Sequence, residues 1–286
     1  MTAGAPLAER DLPVSVPAAG TGGRRRRLRF GRVPAWQAVV SITVVLGLLE
    51  LAGRSGLLSR NSFPLVSEVC LRLLQDAGTE VFWQRVGQTV SQAGAGLAIG
   101  TVLAVPIGIL LGRLEWLDDA LRPVVEFLRP IPSVAILPLV ILKVGIGFRG
   151  AVLLSGISCF WMVLVLTIRG ARAVDPVARQ AMTAFGLPRS AQIRHLVLPS
   201  ATPFITTGIR IAASVSLIVV ITAELLGGMP GLGKAVNVSL QAADRTGMYS
   251  YTVAAGLLGF LTNAVLLRLE DGLLRWHPSR RKAGRA

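Results

Sequence analysis

Residues 148–168 read FRGAVLLSGISCFWMVLVLTI, and this segment determines the fold class. Arg149 is its only charged residue, and most of the other positions are apolar. A helix needs about 20 mostly apolar residues to cross the hydrocarbon core of a bilayer. The segment therefore predicts a transmembrane helix.

Further segments of the same kind lie on both sides of it. They are 36–51, 86–111, 121–142, 204–226 and 249–274. The first is short for a span. The third is interrupted by Pro130, Pro132 and Pro138, so we expect it to be kinked or partly unwound. A membrane helix tolerates this where neighbouring protein satisfies the freed carbonyls. The sequence thus predicts an all-α, polytopic membrane protein with about six transmembrane helices.

The composition agrees with this class. Of the 286 residues, 52% are hydrophobic and 16% are charged, with a net charge of +15 and a mean hydropathy of +0.61. The basic residues lie between apolar segments, which argues against a nucleic-acid binder, because such a protein gathers them on one polar face. Two cysteines without CxxC spacing and two histidines, His195 and His277, predict no metal site and require no disulfide.

Lysine and arginine set the predicted orientation. With the N-terminus inside, 21 of the 30 basic residues fall on the cytoplasmic side, eight fall outside, and Arg210 lies near the inner end of the fifth predicted span. Because positive charge is enriched in cytoplasmic loops, both termini are predicted to be cytoplasmic. The domain prediction is a disordered basic tail over 1–35, a transmembrane domain over 36–276 and a second basic tail over 277–286.

Two other patterns concern packing and the outer surface. Gly96-x-x-x-Gly100 and Gly108-x-x-x-Gly112 in the second predicted span would permit a neighbouring helix to approach closely. Residues 63–76 carry apolar residues at helical spacing. They predict an amphipathic helix on the outer surface of the membrane.

The loop between the fourth and fifth predicted spans, 174–199, carries clear helix signals. Asp175 suits an N-cap and Pro176 a first helical position. Gly186 follows where a left-handed residue would end the helix. We therefore predict one short helix over 176–185.

A second short helix is predicted to begin at Pro188 and to end at Pro199. Its apolar face would carry Ile193, Leu196 and Val197. Both helices are too short to be stable alone, so they need a surface on which to dock. A plain connecting loop is the alternative, but helix connections usually have only about 2 to 8 residues.

This loop resembles the signature of ABC importer permeases, which runs Glu-Ala-Ala, three residues, Gly, nine residues, Ile-x-Leu-Pro. The corresponding residues are Gln180, Ala181, Met182, Gly186, Ile193, Leu198 and Pro199. Gln180 replaces Glu, Met182 replaces the second Ala, and Ile193 lies three residues before the strict position. The resemblance implies that these residues couple the chain to a cytoplasmic ATP-binding subunit, with one charge fewer at the contact.

The resemblance covers about 36–276, and the segments 127–139, 145–147, 168–176 and 223–233 are similar to the nitrate, sulfonate and taurine branch. It implies the type I ABC importer permease fold in a multi-pass protein of the bacterial plasma membrane. It also implies a homodimer in membrane lipid, an extracytoplasmic solute-binding protein and a small anionic solute. ATP would be bound by the partner subunit, so the chain itself would be neither an enzyme nor a cofactor carrier.

Two further features bear on function. Residues 228–234 nearly match a phosphate-binding loop, but Ala235 stands where Ser or Thr is needed and no strand precedes it, so we interpret them as a re-entrant or surface loop. Glu224 is placed near the membrane interface at the outer end of the fifth span. Structural capping, hydrogen bonding at a gate and substrate contact all remain open for it.

Three other functions are considered. An ion-driven secondary transporter would need ionisable residues near the bilayer midplane. A membrane-embedded enzyme would need a polar catalytic cluster, and we find none. An ABC importer for a different small organic solute would show the same loop.

Overall fold

The computed structural model describes residues 35–57 and 63–273, and these are helical with no strand. Residues up to 45 form one unit and residues from 46 onward form another. The predicted tails over 1–35 and 277–286 lie outside the described residues, except that Ala35 begins the first helix. The helices are α1 (Ala35–Arg54), α2 (Val66–Ala77), α3 (Glu80–Arg113), α4 (Glu115–Leu128), α5 (Leu137–Val144), α6 (Phe148–Arg172), α7 (Pro176–Ala184), α8 (Arg189–Gln192), α9 (Leu198–Gly227), α10 (Leu232–Gln241) and α11 (Arg245–Leu273).

Four of the described helices are long and apolar enough to cross a membrane: α3, α6, α9 with its flanking segments, and α11. A fifth span results if α4 and the helical segment that follows it are taken as one broken span. The all-α, polytopic class is therefore confirmed. The count of six stays a prediction, because α1 is not among the spans found in the described part of the chain.

The third predicted span is broken, as its prolines indicate. α4 ends at Leu128, a 3₁₀ turn covers Ser133–Ile136, and α5 follows at an angle of 76°. Pro130 and Pro132 lie in the break. Pro138 instead lies in the first turn of α5, where a missing N–H costs no hydrogen bond.

The predicted glycine contacts join α3 to α6. A Cβ added at Gly100 would lie 2.7 Å from the carbonyl oxygen of Gly156 and 2.8 Å from the Cβ of Cys159. At Gly108 it would lie 2.7 Å from the Cβ of Thr167. The backbones therefore approach as closely as the glycine motifs predict.

α6 is the central helix of this packing, because its other side contacts α9. A Cβ added at Gly170 of α6 would lie 3.0 Å from the Cα of Ala201 in α9. A buried cluster from α3, α6 and α9 fills the space between these contacts. It consists of Ala104, Leu111, Cys159, Val163, Leu164 and Ala212. Cys159 is a free thiol within this core, and Cys70 is free and exposed.

Four of the spans, α3, α6, α9 and α11, extend beyond their predicted apolar segments, because polar residues continue each helix. α3 begins at Glu80, where the Thr79 hydroxyl accepts a hydrogen bond from the Phe82 N–H at 3.3 Å. α6 continues to Arg172. α9 begins at Leu198, before the predicted start of its span.

The amphipathic helix predicted over 63–76 is present as α2. Its last turn is tied to the start of α11 by polar contacts. The Ser250 hydroxyl donates to Asp76 Oδ2 at 2.9 Å, and the Arg72 guanidinium lies 3.2 Å from both Asp76 and Asp244. The predicted place of α2 on the outer membrane surface stays a prediction.

The α3–α6 contact can be tested with glycine substitutions on one helix. Gly100→Leu should lower the free energy of unfolding by at least about 1–3 kcal/mol, because the new side chain has to displace the α6 backbone. The measurement is the thermal unfolding of the detergent-solubilised protein.

Gly94→Leu on the same helix is the matched control, since nothing lies within 4 Å of an added Cβ there. It should be neutral or slightly stabilising, because leucine forms helices better than glycine. Equal losses for the two variants would contradict the close packing.

Candidate functional site

The first half of the loop over 174–199 forms the helix that the sequence predicts. α7 covers Pro176–Ala184, and the Asp175 carboxylate accepts a hydrogen bond from the Val177 N–H at 2.9 Å. This bond satisfies one of the free N–H groups at the start of the helix. None of the nine residues of α7 is buried.

Gly186 ends α7 in the predicted left-handed conformation, with φ of +70°. The Gly186 N–H donates to the Thr183 carbonyl at 3.0 Å, and the Leu187 N–H donates to the Met182 carbonyl at 3.1 Å. This pair of bonds is the Schellman arrangement, which glycine favours because it has no Cβ. Both ends of α7 are thus capped.

The second half of the loop differs from the prediction. Pro188 caps a single turn, Arg189–Gln192, which leads through a wide π turn, Ile193–Val197, directly into α9. The Leu198 N–H bonds the carbonyl five residues back. Pro199 therefore does not end a helix. It lies in the first turn of α9. The preceding π turn has hydrogen bonds to the carbonyl five residues back in place of the usual four, so a proline without an N–H is tolerated there.

The predicted apolar face of this segment is also partly wrong. Gln192 is 8% exposed, and its side-chain amide donates to the Leu187 carbonyl at 3.1 Å. Val197 is buried as expected, but Ile193 is 37% exposed. The side chain of Gln192 turns inward because it closes the turn that follows Gly186.

Five of the seven signature residues are exposed and two are half-buried. The exposed ones are Gln180, Ala181, Gly186, Ile193 and Leu198, and the half-buried ones are Met182 and Pro199.

The most exposed apolar side chains of this loop were not among the site residues predicted from the sequence. Val177 is 71% exposed and Phe185 is 83% exposed, at opposite ends of α7. Both side chains are therefore accessible to a partner protein. The sequence could have indicated both residues, because Val177 lies close to the predicted N-cap Asp175 and Phe185 directly precedes the predicted helix end at Gly186.

A second polar cluster lies at the other end of α9. The Glu224 carboxylate is fully buried and accepts hydrogen bonds from the Thr89 hydroxyl at 2.9 Å and the Gly233 N–H at 2.9 Å. The Thr89 oxygen in turn accepts from the Leu232 N–H at 3.0 Å. Of the three roles left open for Glu224, the structure shows structural capping. It caps the N-terminus of α10, where the helix dipole favours a negative charge.

The turn that precedes α10 is packed inside the protein, so its interpretation as a surface loop is wrong. Met229 is fully buried, and the Gln92 amide donates to the Pro230 carbonyl at 2.6 Å. Gly231 has φ of +152°, and a Cβ there would overlap the Glu224 carboxylate. The glycines of the near phosphate-binding motif thus make room for an internal carboxylate.

The part of the chain that carries most of these features matches a known protein family. Residues 104–275, more than half of the chain, match the family described as binding-protein-dependent transport system inner membrane component. The chain belongs to this family. The matched region includes the 174–199 loop and the Glu224 cluster, except for Thr89 and Gln92 of α3, which lie before position 104. The resemblance read from the sequence is confirmed.

Individual permeases are similar to this one over most of its length. The taurine transport system permease protein TauC of Escherichia coli is 27% identical over 260 residues, which cover 88% of this chain and 94% of that protein. The bicarbonate transport system permease protein CmpB of Synechococcus elongatus is 26% identical over 196 residues, covering 68% and 70%. These relatives are transport permeases, not enzymes.

Solved structures show the fold of this permease. A chain of the MetNI methionine ABC transporter in an inward-facing conformation superposes with a TM-score of 0.60 and 19% identity. The superposition covers 67% of this chain and 95% of that chain. The permease therefore has the type I ABC importer permease fold.

Other ion pairs of the permease join or brace its helices. Glu50 pairs with Arg54 in α1, and Glu126 pairs with Arg122 in α4. Glu270 of α11 lies 3.1 Å from the Arg210 guanidinium of α9. Within the described ranges, no group of three or more His, Cys, Asp or Glu residues could hold a metal ion.

The capping role of Glu224 predicts a stability effect. Glu224→Ala should lower the free energy of unfolding of the permease by about 1–3 kcal/mol, because it leaves the Gly233 N–H buried without a partner. Thr89→Val should have a similar effect, and the double variant should lose less than the sum of the two. Thermal unfolding in detergent measures all three.

Glu126→Ala is the control, since its pair with Arg122 is exposed. Such a pair contributes only about 0.2–0.5 kcal/mol. An unfolding temperature for Glu224→Ala equal to that of the control would show that the carboxylate does not cap α10.

Proposed function

We propose that this chain is the permease subunit of an ABC importer for a small anionic solute. In this proposal a separate cytoplasmic ATP-binding subunit docks on the 175–199 loop and drives the movement of the permease. The observation that carries the proposal is the state of α7. It is capped at both ends and has no buried residue, yet it presents Val177 and Phe185 to its surroundings.

The docking contact we propose is mainly apolar. Full burial of a valine or phenylalanine side chain contributes about 1.5–3 kcal/mol, so Val177 and Phe185 together would supply much of a stable contact. Gln180 has no charge and adds hydrogen-bonding capacity instead of a salt bridge. The caps at Asp175 and Gly186 support the proposal, because an isolated helix of nine residues would otherwise be marginal.

Continuity of the backbone supports transmission of movement from this loop. From Arg189 to Gly227 the chain is helical without interruption. A displacement of α7 would therefore act on the end of α9, with the π turn over Ile193–Val197 as the place that absorbs a change in direction. Wide turns of this kind are frequent at functional sites.

The break between α4 and α5 supports a translocation path formed by two copies of the chain. Residues 129–132 are exposed, and irregular backbone at membrane depth is tolerated only against protein or a water-filled cavity. The Ser158 hydroxyl donates to Ser133 at 2.6 Å and holds the irregular segment against α6. We therefore propose a homodimer in which each break faces the path.

The orientation we propose places both termini and the 175–199 loop in the cytoplasm of a bacterium, with the chain as a multi-pass protein of the plasma membrane. The distribution of lysine and arginine supports it. The solute would then arrive on the opposite side from an extracytoplasmic binding protein, and alternating access would carry it inward.

The solute class rests on similarity. One relative is named for taurine and another for bicarbonate, and the sequence resembles the nitrate, sulfonate and taurine branch. These solutes are small, and each carries an anionic group. We propose a sulfonate, nitrate or bicarbonate as the solute class, with a different small organic solute as the second candidate.

The docking surface can be tested by introducing charge. The double variant Val177→Asp/Phe185→Asp should reduce co-purification of a co-expressed ATP-binding subunit at least tenfold, since carboxylates would replace both apolar contacts. Ser190→Asp in the same loop is the matched control and should co-purify normally. Normal co-purification of the double variant would argue against docking through α7.

Transport in proteoliposomes tests the function itself. With the ATP-binding subunit and the binding protein present, we expect ATP-dependent uptake of one of the three anions. Uptake of an uncharged or cationic solute alone would exclude the anionic class. Uptake driven by a proton or sodium gradient, without the ATP-binding subunit, would establish a secondary transporter instead.

A further inference from the structure

Three arginines converge on a groove beside the 175–199 loop. Arg113 is the last residue of α3, Arg179 lies in α7, and Arg189 begins α8. The groove has a volume of about 580 Å³, and all three arginines line it. Its apolar wall belongs to the last turns of α3 and is formed by Pro106, Ile109 and Leu110.

These arginines differ from others at the same end of the helices. Arg122 and Arg172 each form an ion pair with a carboxylate. Among the residues that the structure describes, Arg113, Arg179 and Arg189 form none, and the Nη1 atom of Arg113 is buried without a hydrogen-bond partner. Positive charges gathered in this way repel one another, so the groove suits an anion.

The apolar wall decides which anion fits. Pro106 and Leu110 are exposed on a helix that is long and apolar enough to cross a membrane. A small soluble anion would use only the guanidinium groups and leave this wall in contact with water. A phospholipid would use both, because its phosphate matches the arginine donors and its acyl chain covers the apolar wall.

We propose that the groove binds an anionic phospholipid, with the headgroup phosphate between Arg113, Arg179 and Arg189 and an acyl chain along α3. Basic pockets between transmembrane helices are suited to such headgroups. One bound lipid would join the end of α3 to both parts of the loop. The inference holds whichever solute is carried, and it does not depend on docking of an ATP-binding subunit.

Native mass spectrometry of the purified full chain tests the proposal. After exchange into a neutral detergent, the protein is incubated with dioleoylphosphatidylglycerol or dioleoylphosphatidylcholine. We expect at least tenfold higher retention of the phosphatidylglycerol. The double variant Arg179→Gln/Arg189→Gln should remove this preference. Because both side chains are exposed, the variant should keep its fold, and elution equal to that of the wild type in size-exclusion chromatography checks this.

Arg268→Gln is the matched control, because Arg268 is an exposed arginine of α11 outside the groove. It should retain the preference in full. Equal loss in the control and the double variant would show unspecific attraction to positive charge and would overturn the proposal. So would full retention in the double variant.

Two further measurements separate a lipid from a soluble anion. Leu110→Trp should lower retention of phosphatidylglycerol by filling the groove, whereas Val102→Trp should not, since Val102 is exposed on the same helix away from this groove. Inorganic phosphate alone should not raise the unfolding temperature. If phosphate stabilises the wild type and Leu110→Trp retains lipid normally, the groove binds a soluble anion and the proposal is wrong.

Discussion

Close contact of α6 with both α3 and α9 is the constraint on which the other features depend. Lipid tails are as apolar as leucine, so helices in a membrane gain little from hiding apolar surface and rely on tight van der Waals contact. Gly100 provides that contact on the α3 side and Gly170 on the α9 side, where any larger residue would meet backbone or Cβ atoms. Because α6 fixes the position of α9, it also fixes the Glu224 cluster at one end of α9 and the 174–199 loop at the other.

Features governed by local backbone chemistry were predictable from the sequence. Asp175 and Gly186 bound a short helix because a cap needs only its neighbours along the chain, and the prolines at 130 and 132 break a span for the same reason. The burial of Glu224 was not predictable in this way. Its partner Thr89 is 135 positions away, so only the packing of α3 against α9 brings the two together. The continuation of the helix through Pro199 depends on a π turn for which composition gives no signal.

The near match to a phosphate-binding loop had a physical basis despite its different role. Such loops bind anions because glycines allow close approach and the N-terminus of a helix offers free N–H groups. The turn before α10 has both properties, and the anion that occupies it is the side chain of Glu224. The motif therefore indicated the correct kind of interaction, and what it left undetermined was whether the anion comes from a ligand or from the protein.

The two ends of α9 differ in how far they can move in the proposed transport cycle. At one end, Glu224 and Thr89 tie α9 to α10 and α3 through buried hydrogen bonds, so α9 cannot slide along its axis without breaking them. At the other end, α9 joins the loop through the π turn over Ile193–Val197, where no such bonds to α3 or α10 are present among the described residues. In the proposed cycle, a displacement of α7 would therefore tilt α3, α6 and α9 together about the end of α9 that carries Glu224. Because the three helices would move as one rigid body, the close α3–α6 contacts at Gly100 and Gly108 would stay intact. The proposed alternating access therefore does not require these contacts to break.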